Sequence, residues 1–129
     1  MIVVDTSAIV DALSLQDGTA GLRHRLANAD LQAPHLIDYE VGSVVRGLAN
    51  GGRLSEPRAM DLLTDFMDLP IERWPATGAL LRRAFQLRHN LSSYDAAYVV
   101  LAEALACPLV TRDARLAKAA PSTVEVEVW

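Results

Sequence analysis

The sequence contains one cysteine, Cys107, so no disulfide closes within the chain and no cysteine-based metal site is possible. It contains one lysine, Lys118, against eleven arginines, and its net charge is −4. An acidic chain is a poor general binder of polyanions. Arginine nevertheless suits bidentate contact with carboxylate or phosphate, so charge neither supports nor excludes a nucleic-acid substrate. Most of the basic clusters Arg23-His24-Arg25, Arg82-Arg83, Arg88-His89 and Arg112 to Lys118 read as solvated helix faces. No apolar run approaches the roughly 20 residues that span a bilayer. The opening "MIVVDTSAIVDAL" is interrupted at Asp5 and has no basic leader, which argues against a secretory signal. A soluble, cytoplasmic protein without a membrane partner is expected. Aromatics make up only 5% of the chain, so the core must be built mainly from Ala, Val and Leu. No phosphate-cradling glycine loop is present: Gly51-Gly52 has no Lys-Ser/Thr after it. Ser7 and Ser93 lack a nucleophile elbow.

The periodicities predict short strands alternating with helices. Ile2 to Val4, Leu31 to Ala33, Ile71 to Trp74 and Leu109 to Thr111 read as strands, and Val124 to Val128 as a half-wet edge strand. Helices are expected over Thr6 to Ala12, Gly21 to Ala29, Asp38 to Leu48, Ser55 to Pro70, the segment around Leu80 to Phe85, Ser93 to Leu105 and Asp113 to Ala119. Asp38 is the expected cap of its helix. Alternation of this kind gives one domain over residues 1–129, with a parallel sheet covered by helices on both faces. Ligands in such sheets gather beyond the carboxyl ends of the strands.

Four acids stand near such places. Asp5 follows the first strand, Asp113 follows the Leu109 to Thr111 strand, Glu40 lies early in the third helix, and Asp95 lies in the first turn opened by "LSSYD". Each alone is an ordinary occupant of a helix start, where carboxylates meet unpaired N–H groups and the helix dipole. Ser92-x-x-Asp95 has the spacing of a capping box. Together, however, four ionised carboxylates cannot share a small site unpaired. A divalent cation removes the conflict, and all-oxygen donors suit Mg²⁺ or Mn²⁺. Thr6, Ser7 and Thr111 are placed to position Asp5, Asp113 or a bound water, or simply to cap. Asp11, Asp17, Asp30, Asp61, Asp65 and Asp68 read as solvated. His24, His35 and His89 fall away from the expected rim, which disfavours an imidazole acid–base pair.

The segments "IVVDTSAIVDAL", "LIDYEVGSVV", "LSSYDAAYVVLAEAL" and "PLVTRDARL" resemble, in order, those of the PIN-domain ribonucleases, most closely the VapC toxins of toxin–antitoxin pairs. The resemblance implies a three-layer α/β/α sandwich around a mostly parallel sheet of about five strands. It implies an endoribonuclease dependent on Mg²⁺ or Mn²⁺, with Asp5, Glu40, Asp95 and Asp113 as the acidic set and Thr111 as its hydroxyl. Asp5, Asp95 and Asp113 are the expected metal ligands, and Glu40 orients water. It also implies a VapB-type antitoxin as partner, RNA as substrate, and a homodimer. Arg115 and Leu116 occupy the region where the family sometimes carries a further acid.

The leading expectation is therefore metal-assisted hydrolysis of an RNA phosphodiester, leaving a 5′-phosphate and a 3′-hydroxyl with no cyclic phosphate. A catalytically inactive PIN-like protein-binding module is the alternative; it would show no metal-linked stabilisation. A phosphoryl-transfer enzyme with an aspartyl nucleophile needs an Asp-x-Asp motif that "DTS" does not supply.

Overall fold

Buried on both faces, the centre of a parallel sheet demands uninterrupted apolar runs. Two such runs occupy it in the computed structural model, which describes residues 1–129. Strand β1 (Ile2–Val4) lies at the middle, between β2 (Leu31–Pro34) and β4 (Leu109–Thr111). Strands β3 (Ile71–Trp74) and β5 (Val126–Val128) form the edges, giving the order β3-β2-β1-β4-β5 with every pairing parallel. Every residue of β1 and β4 is buried, whereas both edge strands carry charged, partly exposed residues.

Seven helices complete the α/β sandwich. They are α1 (Thr6–Leu13), α2 (Ala20–Ala27), α3 (Leu36–Asn50), α4 (Glu56–Asp68), α5 (Gly78–Gln86), α6 (Ser93–Leu105) and α7 (Ala114–Ala119). Helix α6 lies against β1, β2 and β4 with α5 packed on it, while α1 gathers α2, α3 and α4. One apolar cluster runs through these layers, with Ile2, Ile9, Ile37, Phe66 and Val99 among its fully enclosed members.

Helix ends follow local chemistry where that chemistry is local. Ser55 Oγ accepts from the Arg58 amide to start α4, and Ser92 Oγ accepts from the Asp95 amide to start α6. Ala106 takes the left-handed conformation that stops α6, with Pro108 beyond it. Other expectations need correction. Helix α3 begins at Leu36, so Asp38 lies in its first turn and is not its cap. The Asp38 carboxylate pairs instead with Arg73 Nε at 2.8 Å, and that guanidinium lies over the Phe66 ring. Helix α2 starts and ends earlier than Gly21 to Ala29, and β5 starts only at Val126. Helix α5 buries no residue fully, and its apolar Leu81 and Phe85 are 61% and 64% exposed. Val44, Met67 and Tyr94 are likewise exposed.

The C-terminal edge is held to α2 by two contacts. Arg25 forks onto Glu127, with Nε and Nη2 at 2.9 and 2.8 Å from its two oxygens. The Trp129 indole lies on Gly21, where an added Cβ would come within 3.0 Å of the ring. Arg25 donates to the Glu127 carboxyl and holds it below its usual range. A depressed carboxyl stabilises the fold above its unfolded value and loses that contribution as pH falls through the folded value. Glu127→Gln is expected to lower stability by up to about 1 kcal/mol at neutral pH, the scale of a partly exposed pair. Urea melts should show the difference from wild type closing once acidity has protonated the carboxylate.

Candidate active site

All strands being parallel, their carboxyl ends share one rim. Strand β1 ends at Val4 and delivers Asp5; its neighbour β4, paired through Val4 and Val110, ends at Thr111 and delivers Asp113. Helix α3 contributes Glu40 and the first turn of α6 contributes Asp95. These four acids line one pocket of about 430 Å³, together with Thr6, Ser7, Asp11 and Tyr98.

Asp5 is the most enclosed of the four, at 7% exposure. Its Oδ1 accepts from the Ala8 amide at 3.0 Å and from Ser7 Oγ at 2.8 Å, and its Oδ2 accepts from Thr111 Oγ1 at 2.5 Å. Those two hydroxyls are themselves held: Ser7 Oγ accepts from the Arg112 amide at 3.1 Å, and Thr111 Oγ1 from the Asp113 amide at 3.0 Å. Two relays thus run from the end of β4 to one carboxylate. Burial raises the Asp5 pKa despite the donors from Thr111, Ala8 and Ser7, and the charge of Asp113 adds to the rise. An ionised Asp5 is therefore an electrostatic debt that a nearby cation would relieve.

Asp113 caps α7 through the Arg115 amide at 2.9 Å, and the Arg115 guanidinium stands 3.4 Å from the same oxygen. Burial pushes this carboxyl up, but those donors and the Leu116 amide outweigh it and hold it below its usual range. Asp95 leaves the capping box half made. Ser92 accepts its amide, but no hydrogen bond engages the Asp95 carboxylate, which stays exposed at the pocket. Glu40 caps nothing. Tyr98 Oη donates to Glu40 Oε1 at 2.5 Å, and Thr6 Oγ1 lies 3.2 Å from the same oxygen.

Capping and pocket lining are thus compatible in Asp5 and Asp113, while Asp95 and Glu40 serve the pocket alone. Ser7 and Thr111 hold Asp5, as the sequence allows; Thr6 turns to Glu40 instead. Two participants were not anticipated. Asp11, read as solvated, lines the pocket and pairs with Arg112 Nε at 2.9 Å. Tyr98, inside the expected Ser93 to Leu105 helix and not among the candidate site residues, is buried with its hydroxyl in the site. The signal for Tyr98 was its spacing: three residues after Asp95, it shares that helix face. His35 does lie at the end of β2, but it lines a separate apolar recess beside Trp74 and Phe85.

No group of three acidic, histidine or cysteine side chains is arranged to close around a metal ion. The carboxylates line a pocket and do not form a cage. Their donors are nonetheless all oxygen, and one of them is buried with its charged form disfavoured. That set fits a dication that keeps several of its own waters, as Mg²⁺ does.

The PIN domain family model matches residues 2–121. The chain is 47% identical over 116 residues to ribonuclease VapC9 of Mycobacterium tuberculosis, covering 90% of this chain and 88% of that one. It is 41% identical over 127 residues to ribonuclease VapC1 of the same organism, covering 98% and 96%. Among solved structures it resembles PAE2754 from Pyrobaculum aerophilum, with a TM-score of 0.70 and 26% identity over 97% of this chain and 82% of that one. VapBC2 from Rickettsia felis, bound to a promoter DNA fragment, has a TM-score of 0.71 at 16% identity, covering 100% and 99%, a likeness of fold.

Proposed function

The chain belongs to the VapC ribonucleases of the PIN-domain family, and from that premise we propose that it is a toxin endoribonuclease hydrolysing RNA phosphodiester bonds with Mg²⁺ or Mn²⁺. The observation that carries the reading is that Asp5, Glu40, Asp95 and Asp113, from four separate elements, line one pocket. Asp5, Asp95 and Asp113 would hold the cation. When bound, it supplies charge neutralisation of the phosphate oxygens and a more acidic water.

The chain's own residues do the rest. Asp5 is fixed through both oxygens before any ligand arrives, so little ordering remains to be done during reaction. Asp95 offers an uncommitted carboxylate at the pocket mouth. Glu40 accepts a hydrogen bond from the attacking water and orients it in line with the departing 3′-oxygen. The products are a 5′-phosphate and a 3′-hydroxyl. No imidazole is needed and no 2′-hydroxyl attack occurs. The partners in this reading are RNA, a VapB-type antitoxin and a second copy of the chain, in the cytoplasm, with residues 1–129 acting as one nuclease domain. No helix is long and apolar enough to cross a membrane.

Sequencing of RNA ends after brief expression tests the reading. Discrete new 5′-phosphate ends are expected, reproduced by purified protein with Mg²⁺ and stopped by a chelator. Products ending in cyclic phosphate, or cleavage indifferent to chelation, would contradict it.

A further inference from the structure

Glu40 is asymmetrically held, and this has a use. Every hydrogen bond to its carboxylate falls on Oε1: the Tyr98 hydroxyl at 2.5 Å and the Thr6 hydroxyl at 3.2 Å. No protein donor engages Oε2. Thr6 Oγ1 also lies 3.0 Å from Tyr98 Oη, so its single proton serves either the carboxylate or the phenol at a given moment. Tyr98 has no such choice. It is buried, and burial together with the Glu40 charge raises its pKa, so its proton stays on the phenol and points at Glu40.

The three residues come from three elements: Thr6 from the first turn of α1, Glu40 from α3 and Tyr98 from α6. Glutamate has three rotatable bonds, and on an exposed helix face it would sample many rotamers. Here two hydroxyls from neighbouring elements remove that freedom.

We propose that Tyr98, assisted by Thr6, is a positioning residue that pins Glu40 by Oε1 and so presents Oε2 alone to the attacking water. This rests on the ribonuclease reading above and adds a specific device to it. The donors are hydroxyls and not cations, so they orient the carboxylate without cancelling its charge. An arginine at the same place would fix Glu40 but weaken it as an acceptor toward water.

The test is a double-mutant cycle on purified protein with RNA and Mg²⁺, read as kcat and KM. Tyr98→Phe keeps the ring and removes the donor; kcat is expected to fall about 10–100-fold, as for loss of an outer hydrogen bond that orients a reacting group. KM for RNA and the Mg²⁺-dependent rise in melting temperature should stay at wild-type values. In a Glu40→Gln background, Tyr98→Phe should cause no further loss, because the residue acts through Glu40. Thr6→Val should give the same pattern at smaller size, and it carries the test alone where Tyr98→Phe lowers the melting temperature. The inference is overturned if Tyr98→Phe cleaves within twofold of wild type, or if its loss multiplies in full on Glu40→Gln. A Glu40→Gln variant as active as wild type overturns it too. Wild-type protein that cuts no RNA instead removes the ribonuclease reading itself, a distinct result.

Discussion

Asp5→Asn is expected to leave a folded protein that cuts RNA roughly 10²–10³-fold more slowly, the order lost with one preorganised electrostatic group. The fold has reasons to accept the change. Asparagine keeps the shape, and its carbonyl oxygen continues to accept from Ala8 and Ser7 where Asp5 Oδ1 now does. The amide nitrogen then faces Thr111 Oγ1, which must accept where it now donates. A hydroxyl has two lone pairs, so Thr111 can do this while still receiving the Asp113 amide.

The pH dependence gives this prediction a second arm. Burial raises the Asp5 pKa above 3.8 in the folded protein. A carboxyl that ionises less readily when folded makes the fold progressively less stable as pH climbs from its unfolded value through its folded one. Above that window the penalty persists in full. Metal-free Asp5→Asn should therefore melt at or above the wild-type temperature at neutral pH, and lose that advantage once the medium is acid enough to protonate both states. Mg²⁺ should raise the wild-type melting temperature and leave the variant nearly unmoved, since only a ligand that binds the native form stabilises it. Wild-type cleavage rates from Asp5→Asn, or equal metal-linked shifts in both proteins, would contradict the assignment.

Thr111→Val should be the more damaging change to the fold, although it conserves volume. Thr111 is completely enclosed. Its hydroxyl donates to Asp5 Oδ2 and accepts the Asp113 amide, so valine strands a buried carboxylate oxygen and a partly buried N–H at one stroke. Each unsatisfied group costs about 1–3 kcal/mol, and a charged one more; a total of about 2–5 kcal/mol is expected. Thr111→Ser, which keeps the hydroxyl and drops a methyl, should cost about 1 kcal/mol. The order is the reverse of hydrophobicity. Urea denaturation reads it as a larger fall in midpoint for valine at unchanged slope. Cleavage by the valine variant should fall at least tenfold as well, because the same hydroxyl holds the Asp5 carboxylate and the backbone of Asp113. Valine as stable as serine would show that the hydroxyl is not what holds this corner.

Much of this arrangement was legible in the sequence, because the signals were local. "IVVDTS" and "LVTRD" each announce a buried strand ended by a carboxylate, and parallel pairing sends both to one rim. Helix α6 could be bounded at both ends, since Ser92 caps it and the break at Pro108 lies just beyond its last turn. The misreadings share a different cause. Asp38 has every local mark of a cap, but its partner is Arg73, 35 residues on. Asp11 looks solvated until Arg112 arrives from β4's far end. Tyr98 looks like core because most of it is core; only the hydroxyl differs, and its acceptor lies 58 residues away. Local rules recover what neighbours in the chain decide. A hydrogen bond between distant elements leaves no periodic trace.

The two relays into Asp5 start at the backbone of the segment leaving β4 and end on the residue leaving β1. Central strands are the last part of a sheet to open. Chemistry anchored there has no idle posture: loosening the aspartate means unravelling the middle of the molecule. A cover laid over its mouth by another body would silence such a centre without disturbing the fold.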